Sequence, residues 1–154
     1  MSRRLILLLA VVVALFAMAP VVGASHNDTF TASLKGSSEN PPTGSQAAGE
    51  AIVKLRSGEL SFKLIVANIE NAAAAHIHCG PVGVNGAVGV TLYSGPPTSD
   101  SGILAQGEIT EPDPGNGCMW DDLAEVIAAI QSGDTYVNVH TPAFPGGEIR
   151  GQLS

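Results

Sequence analysis

Residues 50–66 alternate in character position by position, twice over, and few folds accept that pattern. Ala51, Val53 and Leu55 are apolar, with Glu50, Lys54 and Arg56 turned to the other side. Leu60, Phe62, Leu64 and Val66 then alternate with Ser61 and Lys63. A period of two puts every second side chain on one face of an extended strand, whereas a helix would need apolar residues three and four apart. The arms are joined by Ser57-Gly58. Gly supplies the positive φ that a two-residue turn requires, so the stretch specifies an antiparallel hairpin with a fixed register.

The same pattern recurs along the chain. Phe30, Ala32 and Leu34 alternate as a first strand, and further strands are expected at about 73–78, 88–93, 103–109, 136–140 and 148–153. Eighteen Gly and ten Pro punctuate these runs. A polar, Pro-containing loop covers 37–46, and a Pro- and Gly-rich link covers 141–147. One segment departs from period two. Within 120–131, Leu123, Val126, Ile127 and Ile130 fall at helical spacing, with Asp121 or Asp122 to cap the start and Gly133 to end it. The expectation is an all-β chain, an antiparallel Greek-key sandwich or barrel of about eight strands with one short helix. Gly80, Gly83, Gly86 and Gly89 recur every third residue, too briefly for collagen, and read as a flexible loop after a strand. No dinucleotide, phosphate-loop or nucleophile-elbow motif occurs.

The N-terminus has the three parts of a secretory signal: Arg3-Arg4, an uncharged apolar run from 5 to about 19, and the small residues of Val22-Gly23-Ala24. Cleavage is expected after Ala24, since Pro20 disfavours a cut after Ala19. The alternative is an uncleaved anchor, because ~20 apolar residues just span a bilayer. No cysteine lies near the cut to carry a lipid. Residues 25–154 then form one secreted or envelope-located domain. Loss of Arg3 and Arg4 takes the formal charge from −7 to −9. Such an acidic surface argues against nucleic acid and against anionic membranes, and it attracts metal cations. The sequon Asn27-Asp28-Thr29 matters only in a glycosylating host. Cys79 and Cys118 are an even pair, and export favours a disulfide between them. Two free thiols, or Cys79 as a metal ligand beside His78, are the alternatives.

Four histidines are the candidates for chemistry. In His76-Ile77-His78 both imidazoles share one strand face while Ile77 turns to the other, a natural chelating pair for copper or zinc. Two solvated loop histidines would give the same letters. His140 ends the run Tyr136-Val137-Asn138-Val139-His140, on the face opposite Val137 and Val139. If the two strands meet, three imidazoles converge and leave one coordination position open; otherwise His140 is a solvated strand end. His26 would complete an N-terminal Cu(II) site only if cleavage fell after Gly23. Glu148 and Arg150 share a face, either as an ion pair or edge-strand charges, or with Glu148 as a fourth or supporting ligand. Asn85 reads as a turn residue that tolerates positive φ. No serine sits in a nucleophile turn and no acid pair has glycosidase spacing.

The stretch Ala75-His76-Ile77-His78-Cys79-Gly80-Pro81-Val82-Gly83-Val84-Asn85-Gly86 resembles the CHRD domain, named for chordin. So do Tyr136-Val137-Asn138-Val139-His140-Thr141 and Pro145-Gly146-Gly147-Glu148-Ile149-Arg150-Gly151-Gln152-Leu153, with Leu34-Lys35-Gly36 and Glu39-Asn40-Pro41-Pro42 earlier. The resemblance runs from Phe30 to Leu153. Ala87 departs from it, since members usually carry Pro after the Asn-Gly, and Cys79 stands at a variable position. The family implies an extracytoplasmic β-sandwich and says little about activity. More loosely, His-x-His with a distant Val-x-Val-His is similar to the copper half of the Cu/Zn superoxide dismutase sandwich, which implies His76, His78 and His140 as copper ligands. The bridging histidine and the His/Asp zinc cluster have no counterpart here, and Arg150 is a remote candidate for the anion-guiding arginine. The expectation is a secreted domain that captures or delivers a metal ion, copper before zinc. A structural or adhesive envelope module, binding another extracellular protein, is the alternative. A copper redox enzyme is a third reading, without a visible proton donor.

Overall fold

The computed structural model describes residues 27–99 and 101–154. The signal segment, with either its cleaved or anchored reading, and His26 lie outside the described residues. The hairpin is formed by β2 (Ala48–Arg56) and β3 (Glu59–Ala67), in register from Arg56–Glu59 at the turn to Ala48–Ala67. Ser57 and Gly58 both have positive φ, 52° and 88°, the primed turn that matches strand twist. Ala51, Val53, Leu55, Leu60, Leu64 and Val66 are buried. Each large side chain so buried contributes ~1.5–3 kcal/mol, and a one-residue slip would expose them all.

Around the hairpin lie β1 (Asn27–Lys35), β4 (Ala72–Cys79), β5 (Val88–Thr98), β6 (Gly102–Ile109), β7 (Thr135–Thr141) and β8 (Phe144–Gln152). The eight strands form one antiparallel sheet in the order β5-β4-β7-β8-β1-β2-β3-β6. The end strands β5 and β6 are joined by only three residues, 99–101, so the sheet must curl until its ends nearly meet. The result is a nearly closed barrel around one core. Its Greek-key crossing is the four-residue step 68–71 from β3 to β4. There Asn68 and Asn71 take positive φ, their amides bonded to Ser101 and Ser99 hydroxyls, while Ile69 enters the core.

The helix α1 (Leu123–Ser132) starts at the first of the helically spaced apolar residues, and of the two cap candidates it is Asp122 that accepts from the Glu125 amide. It ends at Gly133 in the left-handed region and buries Val126 and Ile130. Strand ends also differ from expectation. β5 continues through Pro96 and Pro97, and β8 begins at Phe144, inside the segment read as a link. Pro is tolerated at both places because pairing is one-sided there: β5 pairs with β4 alone, and β1 meets β8 only at Lys35–Arg150. Since β8 lies between β7 and β1, Glu148 and Arg150 are not edge-strand charges.

Candidate metal centre

β4 and β7 are neighbours, with His78 opposite Tyr136, His76 opposite Asn138 and Ala74 opposite His140. Ala75, Ile77, Val137 and Val139 point into the barrel and are fully buried. The intervening residues therefore put His76, His78 and His140 together on its outer face. Register slips against β5 on both sides of the His76–Ile77 pair, at Ala75/His76 and at Ile77/His78, re-aim this stretch of β4. Ring centroids are 4.9 Å apart for His76–His140, 5.6 Å for His76–His78 and 5.9 Å for His78–His140. One nitrogen from each ring lies within 4.8 Å of the other two.

The protonation pattern follows from the backbone. His78 Nδ1 lies 3.1 Å from the Gly86 carbonyl and His140 Nδ1 lies 3.0 Å from the Pro145 carbonyl. A carbonyl only accepts, so each Nδ1 carries the proton and each Nε2 keeps its lone pair. Those two Nε2 atoms and His76 Nδ1 are buried without any hydrogen-bond partner. Burial holds all three imidazoles below their ordinary 6.5, His78 at about 4. They are therefore neutral at pH 7, the form that binds metal.

Loops from both ends of the barrel cover this face. Tyr136 lies flat on His78, centroids 4.7 Å apart and 8° from parallel, and the Arg150 guanidinium sits 3.4 Å over its other face. Arg150, 2 % exposed, donates to Asn85 Oδ1 and to the Pro81 and Val84 carbonyls. It is not paired with Glu148, and its burial leaves it no anion-guiding position. Glu148 is likewise committed elsewhere. Its two oxygens accept from Ser45 and Thr141 hydroxyls at 2.6 Å each, so it anchors the residue after His140 and is not a fourth ligand.

Asn85 has no positive φ; its side chain links Arg150 to the Asn40 carbonyl. The Gly80–Gly89 region is not a loose loop either. The Gly86 amide donates to the Tyr136 hydroxyl, Asn40 donates to the Gly83 carbonyl, and a Cβ at Gly86 would fall on the Cys79 carbonyl. Cys79 and Cys118 form a disulfide with Cα atoms 5.8 Å apart, which excludes Cys79 as a ligand and ties the loop 110–122 to the end of β4. Glu39 was not singled out from the sequence. It is buried, accepts from Asn138 Nδ2 at 2.7 Å and has its carboxyl pushed up to about 7 by burial, against the pull of Arg150.

Residues 30–153 match the CHRD domain family, and the chain belongs to it. No curated protein and no solved structure matches the chain.

Proposed function

We propose that this CHRD-domain protein binds a metal ion outside the cytoplasm, copper foremost, through His76 Nδ1, His78 Nε2 and His140 Nε2, for capture or delivery of the ion. The observation that carries this reading is three imidazoles that each bring a nitrogen within 4.8 Å of the other two, each ring also holding one buried nitrogen without a hydrogen-bond partner. An unsatisfied buried polar atom costs ~1–3 kcal/mol, so three on neighbouring rings are best explained by an ion that accepts a lone pair from each. Imidazole suits copper and zinc alike, and the order of divalent affinities favours copper. The disulfide and the signal-like N-terminus support an extracytoplasmic location.

The test is the copper and zinc content of the purified protein beside a His76→Ala/His78→Ala/His140→Ala variant. About one equivalent per chain, absent from the variant, is the expected result. A folded wild-type protein without tight metal would leave a structural or adhesive envelope module as the function. Protons compete with the metal for these lone pairs. Because burial lowers the imidazoles, copper should be retained at pH 6, where free imidazole already protonates, and released as pH falls toward about 4. Equilibrium dialysis across that range reads the release directly.

A further inference from the structure

Among the described residues, the only group of three or more metal-binding side chains is the histidine triad, and it is a set of neutral donors. Two candidates for an anionic fourth ligand are otherwise engaged: Glu148 bonds Ser45 and Thr141, and Cys79 is in a disulfide. A permanent cation is stacked behind one ligand, Arg150 over Tyr136 over His78. Glu39, the buried acid that faces Arg150, holds its proton up to about pH 7 and so does not cancel that charge in mildly acidic solution.

The opposing influence is Asp113. It accepts from the amide and hydroxyl of Thr91, the β5 residue opposite His76, and its charge reaches that ring. An ion in a buried site is stabilised by the charges around it, and neutral donors backed by a cation favour the lower-charged ion. Three nitrogen donors also suffice for a monovalent d10 ion, whereas Cu(II) seeks a tetragonal set of four or more.

We propose that the triad holds copper preferentially as Cu(I), and that Arg150, acting through Tyr136, is the positioning residue that sets this preference. The proposal rests on the histidine triad being a metal site. Its test is a pair of anaerobic titrations at pH 6, with Cu(I) against a chromophoric chelator and with Cu(II) against glycine. Copper still bound by the triple-histidine variant is subtracted, which removes any contribution of His26.

Cu(I) should bind more tightly than Cu(II). Arg150→Met should shift the ratio of the two affinities toward Cu(II) by about tenfold, a fall of about 59 mV in the one-electron potential. Arg150→Lys should restore most of it, and Asp113→Asn should shift the ratio the opposite way. If Arg150→Met does not fold, the sign at Asp113→Asn decides. Tighter Cu(II) binding in the wild type, or shifts of the same sign in Arg150→Met and Asp113→Asn, would overturn the cuprous preference while leaving the site. Failure to bind either ion would sink the site itself, and this inference with it.

Discussion

Glu39 departs far from the ordinary behaviour of its type. A carboxyl with an ordinary value of 4.5 is held at about 7, first by burial and against the attraction of Arg150. Between those two values the folded chain keeps a proton that the unfolded chain has lost, so this group's contribution to stability falls as pH rises through the window. The histidines act in the opposite sense. Their folded values lie below 6.5, the unfolded chain binds the extra protons, and their contribution grows with pH. Glu39→Gln keeps the acceptor for Asn138 and removes only the acid's term, while the histidine term is common to both proteins. Urea unfolding at pH 4.5 and pH 7.5 should show the variant gaining on the wild type by ~1–3 kcal/mol as pH rises. A pH-independent difference would mean that Glu39 titrates in the folded chain as it does in the unfolded one. The three histidines could be read from the sequence because i and i+2 must share a strand face, and Val137 and Val139 fix which face His140 takes. Glu39, Tyr136 and the Asn85–Arg150 contact could not, because their roles depend on which loop folds over that face, and no local periodicity records that.

At the level of elements, the hairpin and the helix were legible because each carries its own stop signals. Asp122 and Gly133 bound α1 in sequence and in space, and Ser57-Gly58 adopts the turn its composition demands. The ends of β5 and β8 were not. Pro96, Pro97 and Pro145 look like breakers until it is known that pairing there is one-sided, which is a property of the assembled sheet. The helix cap can be tested alone. Asp122→Ala leaves the Glu125 amide without its acceptor and should cost about 1 kcal/mol. A lowered urea midpoint with an unchanged slope would show that the loss is in folded-state stability rather than in cooperativity.

Across the whole molecule, the fold class followed from counting alternating segments, but the strand order did not. The order depends on β3 crossing to β4 through four residues, where Ile69 is drawn into the core. The one covalent long-range tie is Cys79–Cys118, separated by 39 residues. Closing a loop of that length in the unfolded chain is worth about 4 kcal/mol by chain entropy. Cys79→Ser/Cys118→Ser should lose stability of that order in urea unfolding. It should also weaken metal binding, since the disulfide holds the end of β4 one residue from His78. Unchanged metal affinity in the folded double variant would show that the hydrogen bonds with Arg150, Asn40 and Tyr136 hold the loop 81–86 without the disulfide.

Along 74–78 of β4 and 136–140 of β7, the even-numbered side chains go to the histidine face and the odd-numbered ones, Ala75, Ile77, Val137 and Val139, to the barrel interior. Two selective pressures thus act on alternate letters of the same few words. A lineage could trade its histidines for other residues, lose the ion or acquire a different one, while Ile77, Val137 and Val139 continue to specify the same barrel. Kinship across this family can therefore outlast any shared activity, and membership alone is a poor guide to what any one member binds.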